Sequence, residues 1–183
     1  MAEIERVAAQ AGEKFSAEEF LNAHGDRLLR SAYLMCGNET DAQDLVQETL
    51  IQAITASHKF RGDSAVYTWV HGILLNVSRN HYRKQKRLVY DEERMLQEES
   101  PEPELHAHDV DFCSAQLAKS LQALSPEHRE VIVLRYFEEL KLGEIAQQLG
   151  VSNGTVKSRL HYATLCLEKF AQMNLFASDN THH

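Results

Sequence analysis

Thr155, Lys157, Ser158, His161 and Tyr162 recur at helical spacing, and their side chains suit contact with nucleic acid. Lysine can meet a phosphate or a guanine acceptor. The hydroxyls, the imidazole and the phenol can donate to or accept from a base edge. On the opposite side stand Val156, Leu160, Ala163 and Leu167, at spacings of 4, 3 and 4 residues, which is one face of a 3.6-residue helix. Just upstream, Ile145, Ala146 and Leu149 give a short helix its apolar side, and Gly150-Val151-Ser152 supplies a tight turn. Ser152 is placed to cap the second helix. Residues 142–170, LGEIAQQLGVSNGTVKSRLHYATLCLEKF, therefore read as a helix-turn-helix with a recognition helix, and duplex DNA is the ligand this implies. A helical hairpin inside an ordinary bundle has the same spacing.

A second constellation lies further upstream. Asp44, Gln47 and Glu48 fall on one side of a helix whose other side holds Leu45, Val46, Thr49, Leu50, Ala53 and Ile54. Carboxylates so arranged suit an arginine-rich partner through bidentate pairing, and equally suit a solvated helix face. Asn76 and Asn80, one helical turn apart, can each both donate to and accept from a base. Close by, RNHYRKQKR carries Arg79, Arg83, Lys84, Lys86 and Arg87 without an acid, which suits phosphate. No Gly-rich phosphate loop or nucleophile motif is present, so neither catalysis nor a cofactor is expected. His106, His108 and Cys113 make only a loose set without a fourth ligand, and no metal site is expected. The cysteines Cys36, Cys113 and Cys166 are few and far apart, and reduced thiols are the default.

These groups need helices to carry them, and the chain reads as all-α. No stretch alternates like a half-buried strand. In the first lobe, helices are expected over 17–36, stopped by Gly37, from about Thr40 with a Thr40–Gln43 capping box, and over 65–86. The last should bury Trp69, Val70, Ile73, Leu74 and Val77. In the second lobe, helices are expected over 112–124 and 127–137, the latter restarted by Ser125-Pro126, and then in the helix-turn-helix.

The net charge of −8 is unusual for a chain that meets DNA, and its distribution explains it. Residues 1–90 hold 11 acids and 11 bases, and residues 112–183 hold 7 of each. Residues 91–111 hold nine acids against Arg94, together with Pro101 and Pro103. Two neutral helical domains, 16–88 and 112–172, thus flank an acidic flexible linker, 89–111. Phosphate neutralisation drives most non-specific DNA affinity, so this protein should bind free DNA poorly without a partner. The charged N-terminus lacks a signal-peptide core and no apolar run approaches membrane-spanning length. A cytoplasmic location without membrane insertion is expected.

DAQDLVQETLIQA (41–53), FRGDSAVYTWVHGILLNVSRNHYRK (60–84) and LSPEHREVIVLRYFEELKLGEIAQQLGVSNGTVKSRL (124–160) stand in this order around the acidic linker. Over roughly residues 16–172 the chain resembles the extracytoplasmic-function (ECF) sigma factors of the sigma-70 family. The resemblance implies a region 2-like domain that grips the clamp helices of core RNA polymerase and melts the −10 element. It implies a region 4-like domain that reads the −35 element, and an anti-sigma factor as a further partner. By resemblance, Asp44, Gln47 and Glu48 match the polymerase contact surface. Asn76, Arg79, Asn80, Arg83 and Lys84 match the −10 surface, and Arg135, Thr155, Lys157, Ser158, His161 and Tyr162 match the −35 surface. Gly72 stands where many relatives carry a larger, often basic residue. The acidic linker would thread toward the RNA exit path. A free-standing dimeric regulator is the competing reading, but it leaves the first lobe without a purpose.

Overall fold

A computed structural model describes residues 15–60, 65–93 and 112–179. The described residues form seven α-helices and no strand: α1 (Ala17–Cys36), α2 (Glu39–Ala56), α3 (Val66–Glu93), α4 (Phe112–Gln122), α5 (Pro126–Ile132), α6 (Leu142–Leu149) and α7 (Asn153–Asp179). The chain divides into two compact units, Met1–His106 and Ala107–His183.

In the first unit α1, α2 and α3 pack on one another. Ser16 caps α1 by accepting the Glu19 N–H at 3.2 Å, and Glu18 and Glu19 occupy the first turn, where the helix dipole favours acids. Gly37, at φ 85°, ends the helix and donates its N–H to the Tyr33 carbonyl at 2.8 Å. The cap of α2 is Asn38, not Thr40 as the sequence suggested: the Asn38 side chain accepts the Asp41 N–H at 2.7 Å. Asn outranks Thr as a cap, and the helix starts two residues earlier to use it. The expected α2 stripe, Leu45, Val46, Thr49, Leu50, Ala53 and Ile54, is buried throughout.

Helix α3 departs from expectation in two ways. It runs to Glu93, beyond residue 86, so the expected domain end at 88 and the first residues of the expected linker lie inside a helix. Lys, Gln and Arg are good helix formers and nothing in this stretch breaks a helix. Residues 94–111, with most of the acidic linker, lie outside the described residues. The buried face is also rotated: Tyr67, Val70, His71, Leu74, Leu75 and Val77 are buried, whereas Trp69 and Ile73 are half-buried. His71 lies among apolar groups with its Nε2 2.7 Å from Ser31 Oγ on α1. Burial, and then the charge of Arg27, lowers its pKa to about 4.

In the second unit α4, α5, α6 and α7 enclose Leu121, Val131, Ile132, Leu134, Ile145, Val156 and Ala163. Arg129 closes the end of α4 from within. Its guanidinium donates to the carbonyls of Leu121 (2.9 Å), Gln122 (3.2 Å) and Leu124 (3.1 Å). The expected continuous helix over 127–137 is instead α5 followed by a π-turn over Val133–Phe137. There the Glu138 N–H reaches back five residues to the Val133 carbonyl at 3.0 Å. The wider turn leads into Glu139, which adopts φ 56°, the left-handed region that disfavours a side chain. Glu139→Gly should remove about 1 kcal/mol of strain. The expected readout is slower amide exchange in α6 and α7, and unchanged or faster exchange would contradict it.

Candidate functional site

Where α2 meets α3 the first unit has a groove of about 790 Å³. Asp44, Gln47, Glu48 and Gln52 form its α2 wall, and Asn80, His81, Arg83, Lys84 and Arg87 form its α3 wall. Leu45, Ile51 and Val77 line it between them. The packing of two helices thus brings seven sequence-identified residues together: Asp44, Gln47, Glu48, Asn80, Arg83, Lys84 and Arg87. Asn76 and Arg79 lie on α3 outside the groove lining, Asn76 exposed and Arg79 half-buried. The loop residues Gly62, Asp63 and Ser64 lie outside the described residues.

Side-chain pairs hold the walls in shape. Glu48 accepts from Gln52 at 2.7 Å, and Arg83 donates to the Asn80 side chain at 2.7 Å. At one end Asp41 links the walls. Its Oδ2 accepts from Gln85 at 3.1 Å and from the cap residue Asn38 at 2.5 Å. The His81 Nε2 lies 3.3 Å from the same oxygen, at ion-pair distance but off hydrogen-bond alignment. Asp41 belongs by spacing to the same polar side of α2 as Asp44, Gln47 and Glu48, whereas nothing in the sequence distinguishes His81 and Gln85. The spacing of 81 and 85 shows a shared face, but the contact to Asp41 spans 44 residues and depends on packing.

The aromatics at the start of α3 form a cluster. Trp69 lies 5.1 Å from Phe60 and 5.9 Å from Phe15, centroid to centroid, and Tyr67 lies 4.3 Å beneath the Arg27 guanidinium. Trp69 is therefore a half-buried edge of the core, open on one side.

In the second unit Gly150, at φ 68°, makes the turn between α6 and α7. Ser152 caps α7 as expected, its Oγ accepting the Thr155 N–H at 3.0 Å. Thr155 is half-buried, with its hydroxyl 2.9 Å from that of Ser152. The Ser158 hydroxyl donates to the Thr155 carbonyl at 3.0 Å, which commits its proton and leaves its lone pairs for an outside donor. Lys157, Ser158, His161 and Tyr162 are exposed on α7, Tyr162 to 58%. Val156 and Ala163 are buried as expected, while Leu160 and Leu167 are half-buried. Arg135 projects from the π-turn and donates to the Leu140 carbonyl at 2.9 Å, so it is held across the loop that enters α6. The Arg159 charge acts on Glu127 on α5. The Glu127 carboxyl is held below its usual range by its own backbone N–H, by the Ser125 hydroxyl and by the Arg159 charge. Among the described residues, no three or more His, Cys, Asp or Glu side chains converge on a metal-sized site. His106 and His108 lie outside those residues, and no described helix is long and apolar enough to cross a membrane.

Comparison with known proteins places a known family region in each of the two units. Residues 20–88 match the family model for sigma-70 region 2, and residues 120–169 match that for sigma-70 region 4. The ECF RNA polymerase sigma factor SigE of Mycolicibacterium smegmatis is 35% identical over 150 residues, 80% of this chain and 58% of that one. The RNA polymerase sigma factor SigV of Bacillus subtilis is 32% identical, with 76% of this chain and 81% of that one covered. Among solved structures, the sigma factor RpoE of Bartonella quintana, bound to the anti-sigma factor NepR, is 27% identical with a TM-score of 0.65. That match covers 85% of this chain and 98% of the solved one.

Proposed function

The chain belongs to the sigma-70 family of RNA polymerase sigma factors, in its ECF group, and from this premise we propose how its two units divide the work of promoter-specific initiation. Such proteins are DNA-binding initiation factors, not enzymes. The first unit binds core polymerase through Asp44, Gln47 and Glu48, whose carboxylates pair with arginines on the clamp helices of the largest subunit. The facing basic wall, Arg83 and Lys84, with Arg79 beside it, positions the −10 strand by its phosphates. Asn76 and Asn80 meet bases that have left the stack. The second unit reads the −35 element with the exposed face of α7 in the major groove, Lys157, Ser158, His161 and Tyr162 toward base edges and Arg135 and Thr155 toward phosphate. The acidic stretch after α3 follows the RNA exit path. An anti-sigma factor holds the protein inactive, as NepR is bound to the Bartonella relative. The protein acts in the cytoplasm, where its polymerase and promoter are.

The observation that carries this reading over a free-standing regulator is the groove between α2 and α3, with an acidic wall for one partner and a basic wall for another. A regulator working through its helix-turn-helix alone has no use for it. The test is capture by purified core enzyme and transcription from a genomic library in vitro. The protein should be captured and should start RNA chains at defined sites. Glu48→Lys should weaken capture about tenfold, the equivalent of one ion pair lost and a repulsion gained, with helicity unchanged. Unchanged capture would remove the acidic wall from the polymerase surface. Sequence-specific duplex binding at physiological salt by the protein alone would favour the free-standing regulator.

A further inference from the structure

α5 packs on the recognition helix, and two pairs of side chains relate its first turn to that helix. The Arg159 charge acts on the Glu127 carboxyl, and the His128 ring lies 6.3 Å from the Tyr162 ring, centroid to centroid, at 32°. Arg159 and Tyr162 are three residues apart, so these contacts follow one side of α7. His161 approaches Tyr162 from within α7 at 5.8 Å and 57°. Both distances lie within the range of favourable aromatic pairs. Tyr162 is exposed, yet its ring has two imidazoles beside it, one from another helix and one from its own. His128 is half-buried, and Pro126 at the first helical position fixes where its turn begins.

An exposed tyrosine on a helix normally samples more than one rotamer. A neighbouring ring removes some of them, and a side chain already held in its bound orientation loses less entropy on binding. A tyrosine ring can lie against a thymine methyl, and its hydroxyl can bond a base edge. Either contact discriminates only if the ring meets the base in one orientation. We propose that His128 is a specificity-determining positioning residue: its imidazole holds Tyr162 in the orientation in which that ring meets one base pair of the −35 element. This rests on the reading that α7 enters the major groove. His128 touches no DNA and acts through Tyr162.

The experiment uses holoenzyme assembled from core polymerase and the full chain, with a promoter library randomised across the −35 element. Wild type, Tyr162→Ala, His128→Ala and His128→Phe are compared for base preference at each position, with thermal melting as a check on folding. Tyr162→Ala should lower discrimination about tenfold at one base pair. His128→Ala should lower it about threefold at that same base pair, leave the other positions unchanged, and melt as wild type does. His128→Phe keeps a ring beside Tyr162 and should restore the preference. A His128→Ala variant that binds every sequence more weakly by the same factor, or keeps the wild-type preference, overturns the proposal. So does a change at a base pair that Tyr162→Ala leaves alone. If wild type itself shows no −35 preference, the major-groove reading of α7 fails and this proposal with it. If Tyr162→Ala changes the preference and His128→Ala does not, only the present proposal fails.

Discussion

Arg129→Ala should unfold the second unit while leaving the first able to bind core polymerase. The Arg129 side chain is 6% exposed and supplies hydrogen-bond donors to three carbonyls at and just beyond the end of α4. A helix end leaves its last carbonyls without intrahelical partners, and here a buried guanidinium takes the place of water. Removing it takes a buried donor from each of these carbonyls, although Leu121 keeps the Leu124 N–H at 3.0 Å, and breaking such a buried network costs about 3–5 kcal/mol. A domain of this size is stable by only roughly 3–10 kcal/mol, so the loss is a large share of the whole. Arg129→Lys should fall between, because an ammonium carries a point charge and cannot reproduce the planar fork. Amide exchange should show α4 to α7 unprotected in Arg129→Ala and α1 to α3 as in wild type. The variant should still be captured by core enzyme but lose −35 selectivity. Retained protection across α5 and α7 would show that the capping network contributes little.

Arg129 also marks what the sequence could and could not reveal. Signals local to a few residues are legible: Gly37 stops α1, Gly150 and Ser152 make the turn into α7, and the α2 stripe is buried as its spacing implies. Signals that depend on which helix packs where are not. Arg129 looks like a surface residue in the first turns of a helix, and only the end of α4 beside it makes it a cap. The α3 stripe was placed around Trp69 and Ile73, because large apolar groups dominate a periodicity argument. Packing instead turned His71 inward, where Ser31 from α1 satisfies its nitrogen. The π-turn before Glu138 leaves no pattern in the sequence, since its cause is the path the chain must take into α6.

The groove makes the same point for function. Each wall was recognised separately from sequence, Asp44, Gln47 and Glu48 for one partner and Asn80, Arg83 and Lys84 for another. That the two walls face each other follows from the packing of α2 on α3 and from the Asp41 link to Gln85. The surfaces are therefore not electrostatically independent. Opposite charges facing each other across a groove attract, and salt at ordinary ionic strength largely screens this beyond about 8–10 Å. A substitution on one wall changes the field on the other, so charge-reversal variants such as Glu48→Lys are best measured at more than one salt concentration.

Acid should loosen the first unit through His71. The group is 2% exposed and its pKa in the folded chain is about 4, against an ordinary value of 6.5. Above pH 6.5 it is neutral whether the chain is folded or not, and its contribution to stability is fully present. As pH falls below 6.5 the unfolded chain takes up a proton that the folded chain refuses, so stability declines until about pH 4, where the folded form also protonates. The slope is about 1.4 kcal/mol per pH unit, and the window gives a total of about 3 kcal/mol from this one residue. His71→Gln keeps a neutral partner for Ser31 and cannot titrate. Denaturation of the first unit should therefore depend less steeply on pH in His71→Gln than in wild type between pH 6.5 and pH 4, although the variant starts from a lower stability at pH 7. The ring protons of His71 should hold their neutral chemical shift down to about pH 5 in the folded protein. Equal slopes in the two proteins, or a midpoint for His71 near its ordinary value, would mean that water reaches the ring and that the contact with Ser31 does not keep it neutral.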